Sequence, residues 1–204
     1  MIRSTQKRHL LALLTVVLAL FALLLMHPTA GAVDADEDEL IGANIQDGVL
    51  LGYYGTGGDI VIPNTVTKIG DEAFKGNKKV TSVTIPGSVV DIGNNAFEGC
   101  EKLEKVAFTN PDGANNNLLI RLGAFKDCTK LTDVEIPARV KQIVGNIFKG
   151  CTSLMEIKVN ANNPYYFAQD GVLFGPALVE YSPKYDDNYV LLAYPAGCQG
   201  AYSI

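Results

Sequence analysis

Residues 85–106 read IPGSVVDIGNNAFEGCEKLEKV, and the same frame is written four times between residues 62 and 159. Phe74, Phe97, Phe125 and Phe148 recur at intervals of 23, 28 and 23 residues, each five residues after an Ile (Ile69, Ile92, Ile120, Ile143). Three residues past each Phe stands a small residue, Asn77, Cys100, Cys128 or Cys151. An apolar triplet follows: Val80-Val83-Ile85, Leu103-Val106-Phe108, Leu131-Val134-Ile136 and Leu154-Ile157-Val159. A period in the twenties with such a triplet gives each unit one short strand and a return segment. One unit cannot bury its own apolar face, so units must stack on their neighbours. The chain therefore reads as one solenoid with ends. Its strands lie parallel, about 4.8 Å apart, and each Phe is expected to pack on the Phe of the next unit. The Ile-Gly-x-x-Ala-Phe portion suits a turn followed by one or two helical turns on the opposite side.

The flanks read differently. Arg3, Lys7 and Arg8 precede an almost wholly apolar run over residues 10–26, and Ala30-Gly31-Ala32 supplies an A-x-A cleavage pattern. Residues 1–32 are thus expected to be a secretory leader rather than an uncleaved anchor. Its removal leaves 14 basic against 22 acidic residues, a net charge of −8. Such a surface argues against nucleic acid or an anionic membrane as partner. Both histidines, His9 and His27, lie in the leader, so the mature chain has no His for acid–base, nucleophile-activating or metal-ligating work. No cofactor, metal or small-molecule substrate is expected. Cys100, Cys128 and Cys151 share one phase of the repeat, which favours a ladder of buried thiols over bridges between neighbours. Cys198 stands outside it with no assigned partner.

Residues 33–44 form an acidic linker and 45–61 an N-terminal hairpin cap. Gln46-Asp47-Gly48-Val49-Leu50-Leu51-Gly52 returns as Gln169-Asp170-Gly171-Val172-Leu173-Phe174-Gly175, with six of seven positions identical. Asp-Gly between apolar residues predicts a two-residue hairpin at each site, because both central positions take positive φ. The third unit carries five extra residues at 109–117, expected to form a polar surface loop. Residues 160–204 make an irregular hairpin module, and Tyr202-Ser203-Ile204 begins a further triplet, as expected of an array that continues past residue 204 or is capped by a partner.

The string I-P-x-x-V-x-x-I-G-x-x-A-F-x-G-C-x-x-L-x-x-V, carried by Ile85-Pro86, Val89, Ile92-Gly93, Ala96-Phe97, Gly99-Cys100, Leu103 and Val106, resembles the BspA-like leucine-rich repeats, a bacterial surface family. The N-x-x-Y…D-G-V-L-F…Y-P…Y-x-I pattern over residues 162–204 is similar to another portion of that family. The resemblance spans residues 45–204. This chain departs from the pattern at Asn77, at the missing Ile-Pro of the third unit and at Ile143-Val144-Gly145. The implied fold is an α/β leucine-rich-repeat solenoid, with a parallel sheet on one face, short helices or turns on the other, and flanking β-hairpins. The implied role is non-catalytic: an exported, secreted or cell-surface module that binds host, matrix or other surface proteins. The alternative is a structural or targeting arm of a larger surface protein whose activity lies beyond residue 204.

Leucine-rich solenoids bind through their strands, so the residues between the apolar positions are the candidate contacts. One column is Ser82, Lys105, Asp133, Glu156 and the other is Thr84, Ala107, Glu135, Lys158. Lys105 beside Asp133 and Glu135 beside Lys158 place opposite charges on adjacent strands. Asp133 beside Glu156 is a like-charge pair that a basic group on a partner would offset, which makes these two the foremost contacts. Read as a pair of catalytic acids they lack an aromatic wall and a mature His, and that reading is set aside.

Overall fold

The computed structural model describes residues 40–109, 117–176, 189–193 and 195. The expected leader, residues 33–39 of the linker, most of the five-residue insert, Cys198 and the closing Tyr202-Ser203-Ile204 lie outside the described residues. Strands β1 (Ala43–Gln46) and β2 (Val49–Tyr53) form an antiparallel hairpin. The next nine strands alternate between two sheets: β3 (Gly58–Val61), β4 (Lys68–Ile69), β5 (Val80–Ile85), β6 (Asp91–Ile92), β7 (Lys105–Phe108), β8 (Leu118–Ile120), β9 (Asp133–Ile136), β10 (Val140–Ile143) and β11 (Glu156–Val159). One sheet runs β1-β2-β4-β6-β8-β10, the other β11-β9-β7-β5-β3, and all pairs after the first hairpin are parallel in both. A third, antiparallel sheet joins β12 (Phe167–Gln169), β13 (Val172–Pro176) and β14 (Tyr189–Ala193).

Both Asp-Gly turns form as the sequence predicts. Asp47 and Gly48 take φ of 49° and 74°, and Asp170 and Gly171 take 53° and 77°, the double positive φ of a type I′ turn, whose twist matches that of the strands it joins.

The expected helices are a correction: among the described residues there are none. The fold is a parallel β-solenoid, and its return side is built of turns and two- to four-residue strands. Backbone conformation explains the difference. In each of the first two return segments a residue two before and two after the Phe is left-handed: Glu72 (60°) and Gly76 (69°), then Asn95 (54°) and Gly99 (70°). A right-handed helix cannot pass through such positions. Hydrogen bonding alternates accordingly. Ala96 N–H and Cys100 N–H donate within their own turn, to Gly93 O at 3.3 Å and Phe97 O at 3.1 Å. Phe97 N–H and Gly99 N–H donate to the next turn, at Ala124 O (2.7 Å) and Lys126 O (2.8 Å). Every second amide that a helix would spend on itself here ties one layer to the next.

Between the two sheets runs the aromatic spine. Ring centroids are 4.6 Å apart for Phe74–Phe97, 5.3 Å for Phe97–Phe125 and 5.8 Å for Phe125–Phe148, with planes within 20° of parallel. Tyr53 of β2 extends the stack by one ring, 5.2 Å from Phe74. Beside it, Cys100, Cys128 and Cys151 are free and fully buried. Each thiol donates to the carbonyl of the preceding unit's Phe: Cys100 to Phe74 at 3.1 Å, Cys128 to Phe97 at 3.2 Å, Cys151 to Phe125 at 3.0 Å. A small side chain with a weak donor is what that carbonyl needs in a dry interior. Burial pushes the Cys100 thiol up to about 12, and contact with the Cys151 thiol, reinforced by burial, pushes Cys128 up as well.

Candidate binding face

Parallel register puts every other side chain of the five-stranded sheet on its outer face. The pairings Asp59–Ser82, Ser82–Lys105, Lys105–Asp133 and Asp133–Glu156 run as one continuous column. A second column runs Val61–Thr84–Ala107, and Glu135–Lys158 continues it. The apolar partners of these residues, Val83, Val106, Val134 and Ile157, are buried on the other side. Ser82 and Thr84 are half-buried, whereas Lys105, Asp133, Glu135, Glu156 and Lys158 are exposed. All seven sequence-derived contact residues therefore share one surface.

That surface has one more member on each column than the four-unit frame suggests. Asp59 and Val61 head the two columns because β3 is already a repeat strand, and Ile60-Val61-Ile62-Pro63 parallels Val83-Thr84-Ile85-Pro86. Asp59 accepts hydrogen bonds from Ser82 Oγ (2.7 Å) and Thr81 Oγ1 (3.0 Å). Those two hydroxyls hold its carboxyl below the usual aspartate value.

Register neighbours do not always become ion pairs. Among the described residues Lys105 makes no ion pair with Asp133, and Lys158 turns along its own strand to Glu156 Oε2, at 3.1 Å, rather than across to Glu135. The hydrogen bond to Glu156 raises the Lys158 ammonium above its ordinary value. Lys158 thus partly offsets the Asp133–Glu156 repulsion from within the chain. Glu135 Oε1 accepts instead from Asn160 Nδ2 (3.2 Å), and Asp133 Oδ1 from Thr132 Oγ1 (3.1 Å).

At the C-terminal ends of β7 and β9 the face dips into a depression of 490 Å³, lined among others by Lys105, Asp133, Glu135, Arg139, Asn160 and Asn162. Arg139 is a feature that sequence reasoning missed. It is the one buried charged residue among those described, 7% exposed, and burial lowers its pKa. Its guanidinium reaches back across the β8 layer: Nη1 donates to Val89 O (2.5 Å) and Nη2 to Pro86 O (3.0 Å). Asn163 serves the following turn in the same way, donating to Pro137 O and Val140 O at 2.9 and 3.2 Å. The unit that starts after Thr109 has no Ile-Pro in its sequence. Among the described residues, Nε of Arg139 has no hydrogen-bond partner. A buried donor left unmade costs about 1–3 kcal/mol, more when charged.

A second hollow, of 660 Å³, lies where β11 meets the Asp170-Gly171 turn, with Met155, Glu156 and Lys158 on its wall. Among the described residues no group of three or more His, Cys, Asp or Glu is placed to hold a metal ion.

The repeat geometry has its counterpart in known sequences. The model of the BspA type leucine rich repeat region matches six copies over residues 53–168, more than half of the chain. The chain belongs to the BspA-type leucine-rich-repeat family. Among solved structures, the BspA-type repeats are similar to the pneumococcal vaccine antigen PcpA, with 27% identity and a TM-score of 0.51 over 60% of this chain and 35% of the antigen. A leucine-rich repeat protein from Bacteroides capillosus ATCC 29799 aligns at 29% identity and a TM-score of 0.48, covering 60% of this chain and 98% of its own. The T. pallidum leucine rich repeat protein aligns at 29% identity and 0.41, over 53% of this chain and 62% of its own. The BspA-type repeats here thus span about a third of the pneumococcal antigen's length. A search of curated proteins returns no match.

Proposed function

We propose that this chain is a non-catalytic protein-binding module, exported by the leader at residues 1–32 and presented at the bacterial surface or secreted. Its five-stranded face docks a partner protein through basic groups. The observation that carries this reading is the pair of exposed columns, in which Asp59, Asp133, Glu135 and Glu156 outnumber Lys105 and Lys158 on one continuous sheet. Family membership supports the class of function, and so does the likeness to a pneumococcal vaccine antigen. An extended sheet with short residues at Ser82, Thr84 and Ala107 offers breadth rather than enclosure, which suits a macromolecule better than a substrate.

The test is binding of the chain to immobilised matrix and host proteins, with Asp133→Lys and Glu156→Lys beside the parent. The charge reversals abolish binding if the columns are the contact, since they place repulsion where attraction was. Equal binding by parent and variants removes this face from the account. Export is tested separately by N-terminal sequencing of the protein recovered outside the cell, with Val33 the expected first residue. A second reading, a targeting arm of a longer surface protein, draws on the match to only 35% of the pneumococcal antigen.

A further inference from the structure

The six-stranded sheet ends on β10, and side chains rather than a further strand finish its edge. Each Ile-Pro turn ahead of a return strand has a carbonyl that accepts from a side chain further along the chain. Ser88 Oγ donates to Val66 O at 2.8 Å, Arg139 to Val89 O and Pro86 O, and Asn163 Nδ2 to Pro137 O and Val140 O. Asn163 is the last of this series, and it makes two further bonds. Its Oδ1 accepts from the N–H groups of Tyr165 and Tyr166, at 2.8 and 2.9 Å. That bend sends the buried Tyr166 side chain back onto β10, where its Oη accepts from Ile143 N–H at 2.8 Å. An outermost strand presents unpaired N–H and C=O groups that template the addition of another strand. Here Val140 O at one end of β10 and Ile143 N–H at the other are both met from within the chain. The neighbouring sheet is treated alike, since Ile157 N–H on its last strand, β11, donates to Gly171 O at 3.0 Å.

We propose that Asn163 and Tyr166 form an end stop, which bars a second copy of this chain from adding to β10. The strand such a copy would offer is its β1, the outermost strand at the other end of the same sheet. Joining β10 of one copy to β1 of the next is a head-to-tail contact, and contacts of that kind grow into open filaments when the rotation does not close a ring. The stop therefore keeps the stack to the layers of one chain. It does not depend on the reading of the five-stranded sheet as a docking face, which stands or falls by its own charge reversals.

Amide hydrogen exchange by NMR on the full chain tests this, with Ile143 N–H reporting on the β10 edge and Val134 N–H, in the other sheet, on the fold as a whole. Tyr166→Phe keeps the ring and removes only the acceptor, so Ile143 exchanges at least about tenfold faster while Val134 is unchanged. Asn163→Ala/Tyr166→Ala clears the edge. Sedimentation velocity then shows the double variant associating as its concentration rises, with Ile143 regaining protection in the associated form because a second copy covers it. The parent stays monomeric over the same range. Ile143 exchange that is unaltered in Tyr166→Phe overturns the stop. So does a double variant that remains monomeric with Val134 protected, or one that associates while Ile143 stays fast. Where the double variant loses Val134 protection as well, it has unfolded, and the decision passes to Asn163→Ala/Tyr166→Phe, which keeps the ring: monomeric behaviour there with fast Ile143 exchange refutes the stop, and association that restores Ile143 protection upholds it.

Discussion

Phe97→Ala is the most informative perturbation of the fold, because Phe97 sits mid-spine with a ring on each side. The side chain is fully buried, and truncating a buried Phe costs about 3–5 kcal/mol through lost transfer energy and the cavity left behind. Two ring contacts, at 4.6 and 5.3 Å with planes 14° and 9° apart, go with it, and each such pair is worth roughly 0.5–1.5 kcal/mol beyond area burial. The neighbouring rings cannot close the gap, since the turns on both sides are tied to that of Phe97 by interlayer hydrogen bonds, Phe74 N–H to Ala96 O and Phe97 N–H to Ala124 O. The expected loss is therefore near the upper end, about 5 kcal/mol, comparable to the whole stability of a modest domain. Phe148→Ala is the internal control. Among the described residues it stacks on one ring, Phe125 at 5.8 Å, so its cost is smaller by about one ring pair. Urea unfolding followed by circular dichroism reads both, as a shift of midpoint at constant slope. A Phe97→Ala cost below about 1 kcal/mol, or one no greater than that of Phe148→Ala, would refute the spine as the stabilising element.

Thiol-specific alkylation at pH 8 leaves Cys100, Cys128 and Cys151 unmodified in the folded chain and modifies all three in urea, by peptide mass mapping, because all three thiols are fully buried and out of a reagent's reach. Lys158→Ala strengthens binding of a basic partner severalfold by releasing Glu156 from its internal ion pair, read by titration against the parent; weaker binding would show that Lys158 itself is a contact. Asp91 gives the pH dependence: burial opposes its ionisation, yet Arg121 and Lys68 outweigh this and hold its carboxyl below 3.8. A depressed carboxylate contributes stability that is in full force above its unfolded value, near 3.8, and lost as pH falls through the folded value. Acid unfolding of Asp91→Asn should accordingly show a shallower loss of stability below pH 3.8 than the parent, and identical profiles would contradict the clamp.

What could be read directly from the chain was whatever the period repeats. The Phe spine and the thiol ladder follow from spacing alone, since stacking layers in register brings equal phases together. The two sheet columns follow from strand alternation, because Val83, Val106, Val134 and Ile157 must face inward. The missing helices were hidden because the left-handed positions include Glu72 and Asn95, side chains that do not announce positive φ as glycine does. Asp59 was hidden by the cap hairpin that precedes it. Arg139 could not be found by spacing at all: its partners lie 50 and 53 residues back, outside the phase relation that pairs one unit with the next. Lys158 chose Glu156 over Glu135, a rotamer decision that register does not dictate.

Carboxyl footprinting of the chain bound to a captured partner protein tests the central claim most directly, by modifying exposed acids with a carbodiimide and an amine and mapping them by mass spectrometry. The account predicts protection of Asp59, Asp133, Glu135 and Glu156 on the sheet face, with Glu72 and Glu101 of the return turns still modified. Protection of Glu72 and Glu101 with the four face carboxylates left reactive would contradict it.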